Sequence, residues 1–161
     1  MKSVICLGVD PGIANTGICV VQHDGTSPRV LSLGCVKTDA SQNTGRRLET
    51  INAVIAGTLE RFSPDGMAVE LVFHNKNIGS SISTGKVIGI CELLACEYDV
   101  KCYMGLMPQQ VKNASGLGAG ATKKDMLKMA QRVFKTEFKN HHIADAAFCG
   151  LAGCLSLRSQ N

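Results

Sequence analysis

The sequence predicts a mixed α/β domain in which a five-stranded sheet is flanked by helices. Two observations support this fold class: three strand-like segments follow one another at the start of the chain, and helical and strand-like segments then alternate. Strands joined by short turns favour antiparallel pairing, whereas strands separated by helices favour parallel pairing. Since 161 residues suffice for one core, we expect a single domain over residues 1–161.

The first three strands are predicted from the first 38 residues. Residues 3–9 are nearly all apolar and stop at "DPG", which is typical of a buried strand that ends in a turn. Residues 16–22 and 29–38 have the pattern of two further strands, separated by the turn-forming "HDGTSP". These segments predict an antiparallel meander.

The rest of the chain predicts two more strands and several helices. Apolar residues recur at helical spacing over 44–62, and strands are expected at 67–73 and 100–105. The helix expected at 80–98 has apolar residues on more than one face, so it must be buried broadly, within the domain or against a second subunit. The remaining segments are a short helix at 108–114, a glycine-rich loop at 115–121, and helices beginning near 123 and 142.

Composition narrows the class of protein only modestly. A net charge of +4 suits a polyanionic partner, but many ordinary enzymes share it. The eight cysteines contain no C-x-x-C pair and lie mostly in apolar runs, which predicts reduced, buried thiols. The amino terminus has neither a cleavage site nor an apolar run of bilayer length, so we expect a cytoplasmic protein without a membrane partner.

Three acidic residues interrupt apolar surroundings: Asp10, Glu70 and Asp145. A buried charge is costly unless it is paired, hydrated or bound to a cation, although most such carboxylates are structural. If the strands that end near Asp10 and Glu70 are parallel neighbours, both side chains emerge at one sheet edge, where open α/β sheets place their sites. His142 and Asp145 are three residues apart and share a helix face, whereas His141 falls about 100° round the helix and is left outside the expected site.

Carboxylates and an imidazole, without cysteine, form a donor set that suits Mg²⁺, with Mn²⁺ as a possible substitute, better than a structural zinc. Such sites are common where phosphoryl groups are hydrolysed, since two ions about 3.5–4 Å apart can activate water and stabilise the leaving oxygen. We therefore expect two divalent ions in the site.

Four segments, in the right order over almost the whole chain, resemble RuvC-type Holliday junction resolvases: "LGVDPGIANTG", "AVELVFHNKN", "PQQVKNASGLGAGATKKDML" and "HHIADAAFCGLA". The resemblance implies a ribonuclease H-like fold and a metal-dependent crossover junction endodeoxyribonuclease. Such an enzyme would cut four-way DNA junctions by symmetric paired nicks, in recombination and repair, leaving a 5′-phosphate and a 3′-hydroxyl.

The resemblance also assigns the acidic residues. Asp10, Glu70 and Asp145 match the family's catalytic, metal-binding carboxylates. His142 stands where many members hold aspartate and some hold histidine, so it is expected to act as a metal ligand or proton carrier in catalysis.

DNA-contacting residues follow from the same resemblance. Phe73 matches an aromatic that enters the junction centre, where it can stack on an unpaired base. Lys112 and Lys123 match lysines that lie along the DNA backbone and pair with phosphates. Lys76 and Lys124 add positive charge to the same face.

Expected partners are junction DNA and a second copy of the chain, because the family dimerises through the helix that follows residue 77. A two-fold dimer on a two-fold junction provides two sites for paired cuts. A complex with a branch-migration helicase is a further candidate.

Three alternatives remain open. Another small ribonuclease H-like nuclease, acting on structured RNA or other branched DNA, shares the "GVDPG" motif. An actin-like or sugar-kinase ATPase also begins with aspartate and glycine after a strand, but it closes a nucleotide between two domains and this chain has room for one. A non-catalytic junction-binding protein has no need to hold carboxylates near phosphates that they repel.

Overall fold

A computed structural model describes residues 3–71 and 78–159. Within these ranges five strands form one sheet in the order β3-β2-β1-β4-β5. The strands are β1 (Val4–Asp10), β2 (Asn15–His23), β3 (Pro28–Lys37), β4 (Gly66–Glu70) and β5 (Cys102–Leu106). The helices are α1 (Thr44–Phe62), α2 (Ile78–Glu97), α3 (Pro108–Ala114), α4 (Lys123–Phe134) and α5 (His141–Ser159).

The pairing of the strands confirms the predicted mixed sheet. β1, β2 and β3 form an antiparallel meander, and β1–β4 and β4–β5 pair in parallel. The short meander turns and the helical crossovers impose these two directions, as expected. Asp10 and Glu70 therefore end neighbouring parallel strands at the same edge of the sheet.

The predicted bounds of most elements differ from the observed ones by one to three residues. The strand expected at 67–73 is β4, which ends at Glu70, and residues 72 and 73 lie outside the described part of the chain. α2 begins at Ile78, two residues before the expected start, and α5 begins at His141, one residue before it. The helix predicted over 44–62 matches α1 at both ends.

Helices cover both faces of the sheet. On one face, α1 and α2 bury apolar side chains such as Ile51, Ile55 and Leu94 against Leu7 and Val9. On the other face, α3, α4 and α5 enclose a second cluster around Phe134, Phe138 and Phe148. Burial of these two clusters supplies the main driving force for folding.

α5 lies exceptionally close to the sheet because glycines remove side chains from the contact. A Cβ atom at Gly8 would lie 1.9 Å from the Ala146 carbonyl oxygen, and one at Gly17 would lie 2.1 Å from the His142 carbonyl oxygen. Such distances leave no room for a methyl group. The helix backbone therefore rests directly on β1 and β2.

Not all cysteines are buried as predicted, and α2 leaves apolar side chains exposed in the single chain. All eight cysteines are free, and five are buried, but Cys96 is exposed because it lies on the outer face of α2. α2 also exposes Ile78 (76%), Ile82 (56%) and Leu93 (55%). By length and composition alone this helix would be long and apolar enough to cross a membrane.

Candidate active site

The two strand carboxylates meet at the carboxyl ends of β1 and β4. The register pairs Val9 with Val69, so Asp10 and Glu70 follow side by side. Asp10 is 8% exposed, and Glu70 is partly buried at the end of its strand. The parallel β1–β4 pairing thus brings together two residues that are 60 positions apart in the sequence.

The start of α5 supplies the imidazole. Because Gly17 pairs with Asp10 and has no side chain, the His142 backbone can lie directly over it. His142 Nδ1 lies 2.7 Å from Asp10 Oδ2. A carboxylate accepts hydrogen bonds, so Nδ1 is the donor and Nε2 is the ring nitrogen left for another ligand. The backbone N–H of Ile143 donates to Asn140 Oδ1, which caps this end of α5.

Asp145 lies one turn further along α5, and its electrostatics resemble those of Glu70. Burial and the neighbouring carboxylates Asp10 and Asp145 raise the pKa of Glu70 to about 8. Burial and Asp10 likewise raise the pKa of Asp145 to about 6. Both shifts have the sign expected where like charges are held together in a partly dry site. An added positive charge would favour the ionised forms.

These side chains line one open cleft of about 630 Å³. Its floor is the edge of the sheet, and its walls are the turn after β1, the start of α2 and the start of α5. Within residues 3–71 and 78–159, no three His, Cys, Asp or Glu side chains are already close enough to form a metal-binding group. The lining polar and charged side chains are Asp10, Asn15, Glu70, Ser80, Ser83, Thr84, Lys123, His141, His142 and Asp145.

Two lysines bring positive charge to the acidic cleft. Lys123 lines it, and the Lys123 Nζ atom lies 3.1 Å from His141 Nε2. Lys112 lies outside the lining, where its Nζ donates to the Ala119 carbonyl oxygen at 2.8 Å. Both ammonium groups are near enough to oppose the upward pKa shifts of Glu70 and Asp145.

The structure thus brings together five of the residues singled out from the sequence: Asp10, Glu70, His142, Asp145 and Lys123. Lys124 is exposed and does not line the cleft. Phe73 and Lys76 lie outside the described residues.

His141, which was expected to lie outside the site, lines the cleft. As the first residue of α5 it is not held against a preceding turn, and its ring packs on the His142 ring with a centroid distance of 4.0 Å. Burial, His142 and Lys123 lower the pKa of His141, which favours a neutral ring. In the sequence, only the position of His141 next to His142 at a helix start pointed to a place in the cleft. Ser80, Ser83 and Thr84 also line the cleft, and no sequence pattern indicated them.

A mixed five-stranded sheet with carboxylates at the ends of two central parallel strands, and a third on a helix across them, defines a nuclease of the ribonuclease H-like class. Comparison with known proteins supports this class and identifies the family within it. The model of the family described as "Crossover junction endodeoxyribonuclease RuvC" matches residues 6–152. The chain therefore belongs to the RuvC family.

Individual relatives agree with the family match. The chain is 34% identical to a crossover junction endodeoxyribonuclease RuvC of Brevibacillus brevis over 87% of this chain and 85% of the relative. It is also 34% identical to one of Chlorobium chlorochromatii, over 98% and 82%. The solved structure of T. thermophilus RuvC in complex with Holliday junction substrate superposes with a TM-score of 0.84 at 28% identity, covering 96% of each chain.

Proposed function

We propose that this chain is a structure-selective endonuclease that resolves four-way DNA junctions by symmetric paired nicks during recombination and repair. Membership of the RuvC family supports the activity, and the T. thermophilus relative solved with a Holliday junction supports the substrate. The observation that carries the proposal is the cleft in which carboxylates from β1, β4 and α5 face Lys123. That arrangement combines a cation-binding floor with a phosphate-binding wall.

The donor set fits the divalent metal on which nucleases of this family depend. Asp10, Glu70 and Asp145 offer oxygens, and His142 offers Nε2, which suits Mg²⁺ and tolerates Mn²⁺. The raised pKa values of Glu70 and Asp145 indicate a site whose negative charge is incompletely balanced. We propose that these four residues hold two ions, whose chemistry is to activate water and to stabilise charge on the phosphate.

The chain's own residues position the reactants. Asp10 orients the His142 ring through the 2.7 Å hydrogen bond, so that Nε2 is presented in a fixed tautomer. Lys123, with Lys112 and Lys124 farther out, attracts the DNA backbone toward the carboxylates. For Phe73 the proposal rests on the family resemblance, by which Phe73 stacks at the junction centre. Lys76 is proposed to add its positive charge to the same DNA-binding face.

We further propose that the chain acts as a homodimer through α2. The exposed residues Ile78, Ile82, Gly85, Gly89 and Leu93 follow one another at helical spacing along one face of this helix. A Cβ atom at Gly85 or Gly89 would meet nothing within 4 Å, so a second helix could approach there closely.

A protein partner fits α2 better than lipid does. The opposite face of α2 already packs on the core through Val87, Cys91 and Leu94. One face is therefore left for one partner, whereas a membrane would surround the helix. We also propose that the enzyme acts in the cytoplasm and associates with a branch-migration helicase.

The direct test is nicking of a synthetic four-way junction with each strand labelled in turn. We expect cleavage that requires a divalent cation and yields equal nicks in two strands of like polarity. A linear duplex of the same arm sequence and a four-way RNA junction serve as controls. Cleavage of the RNA alone, or of the linear duplex at the same rate, would overturn the proposal.

Dimerisation has a separate test by sedimentation of the purified protein. Ile82→Glu is expected to convert dimer to monomer because it places a charge in the apolar face of α2. Leu31→Glu makes the same change at another exposed apolar position, on β3, and is expected to leave the dimer intact. A wild-type protein that sediments as a monomer at micromolar concentration contradicts the dimer.

A further inference from the structure

The cleft contains a second histidine, His141, whose place is fixed by two helix starts. Lys123 is the first residue of α4, which is capped by Thr122. His141 is the first residue of α5, whose first turn is held by Asn140. Capped first turns are well-ordered points of attachment for a side chain. Contact between the two residues therefore joins the start of α4 to the start of α5.

His141 makes two different contacts with its ring. The Lys123 ammonium can only donate a hydrogen bond, so His141 Nε2 accepts it over 3.1 Å and the ring hydrogen resides on Nδ1. The ring face packs on His142 with a centroid distance of 4.0 Å and an interplanar angle of 37°. His141 thus lies between the lysine and the histidine bonded to Asp10.

The hydrogen bond to the neutral His141 ring matters because the carboxylates of the same cleft attract the Lys123 ammonium more strongly than a neutral ring does. Lys123 lines the same cleft as the carboxylates of Glu70 and Asp145. Yet within residues 3–71 and 78–159, Lys123 forms no ion pair within 4.0 Å with Glu70 or Asp145. An ammonium paired with Glu70 or Asp145 would compete with a cation and would not be offered to a phosphate.

We propose that His141 is a positioning residue that holds Lys123 away from the active-site carboxylates and directs its ammonium toward the substrate phosphate. The inference rests on the proposed junction-cleaving function. It assigns His141 no contact with the reacting atoms: its effect passes through Lys123.

A pair of substitutions separates the two contacts of His141. His141→Phe keeps a ring that can pack on His142 but removes the acceptor, whereas His141→Gln keeps an acceptor at a similar reach. We expect His141→Phe to lower the single-turnover nicking rate about tenfold while the junction Kd changes less than twofold. His141→Gln should recover at least about a third of the wild-type rate. Equal losses in the two variants would overturn the proposal.

A double-mutant cycle with Lys123→Ala tests whether His141 acts through the lysine. In the Lys123→Ala background, His141→Phe is expected to cost less than twofold, because no ammonium remains to be held. Full additivity of the two rate losses would refute the inference. A thermal unfolding curve on each variant identifies loss of folding, and a misfolded His141→Phe is replaced in the cycle by His141→Leu.

A spectroscopic readout is independent of cleavage. ¹⁵N chemical shifts of the imidazole ring, measured on the full chain without metal, should show His141 with its hydrogen on Nδ1. In Lys123→Met the tautomer is expected to shift toward Nε2–H. A wild-type ring already in the Nε2–H form overturns the proposal even if the enzyme cuts junctions, and absence of nicking with the expected tautomer contradicts the proposed function alone.

Discussion

Replacing Glu70 by Gln is expected to stabilise the metal-free protein at alkaline pH while abolishing nicking. The pKa of Glu70 is raised to about 8 from its ordinary value of 4.5, mainly by burial and by repulsion from Asp10 and Asp145. A raised carboxyl pKa means that the folded chain binds the proton more tightly than the unfolded chain. The free energy of unfolding therefore falls as pH rises from about 4.5 to about 8. Above about pH 8 the ionised carboxylate destabilises the folded chain by the full amount.

The size of the effect follows from the same values. At about 1.36 kcal/mol for each pKa unit, moving from 4.5 to about 8 corresponds to an upper bound of about 5 kcal/mol. Part of the repulsion is shared with Asp145 and relaxes with it, so we expect a gain of about 2–4 kcal/mol. For a chain of this length that corresponds to a rise in Tm of roughly 5–15 °C.

The measurement is thermal unfolding in chelator at pH 8.5 and at pH 5. Glu70→Gln should unfold at a higher temperature than wild type at pH 8.5, and the difference should shrink at pH 5, where wild-type Glu70 is protonated. Glu60→Gln, on the exposed surface of α1, is the matched control and should change Tm by about 2 °C or less. A lower Tm for Glu70→Gln at pH 8.5, or a gain of equal size at both pH values, would refute the reasoning.

Three other outcomes are expected. Asp10→Asn should lower the single-turnover nicking rate at least about 100-fold while retaining junction binding in a gel-shift assay, since one negative charge near the phosphates is lost; a variant that cuts at the normal rate contradicts the assignment. Phe73→Ala should reduce cleavage more than affinity, and an unchanged cutting rate would remove Phe73 from the site. Gly8→Ala should cost more than about 3 kcal/mol in urea unfolding because its methyl group would meet the Ala146 carbonyl. The same change at Gly57, where a Cβ meets nothing within 4 Å, should be neutral or stabilising by up to about 1 kcal/mol.

The fold could be predicted from the sequence wherever the determining signal is local. The apolar spacing of α1 is such a signal, and the structure agrees with it. The parallel pairing of β1 with β4 also follows, because a helix must carry the chain back across the sheet. That pairing was sufficient to bring Asp10 and Glu70 to one edge.

The parts of the site that could not be predicted depend on where separate elements meet. His141 acquires its contact only because the start of α4 arrives beside the start of α5. Lys112 was expected along the DNA, but in the free chain its ammonium is held by the Ala119 carbonyl of the glycine-rich loop, whose path no local pattern specifies. The sequence shows a glycine at position 8, but it does not show that the Ala146 carbonyl packs against this glycine.

The direct packing of α5 on the sheet also determines when the active site can be completed during folding. Asp10 and His142 are separated by 132 positions, and their hydrogen bond exists only when α5 has docked against Gly8 and Gly17. During synthesis the amino-terminal sheet and its two strand carboxylates emerge well before this helix leaves the ribosome. A carboxy-terminally truncated chain without α5 would therefore keep only Asp10 and Glu70 of the site, and a nascent chain would lack the other two residues until α5 has emerged and docked.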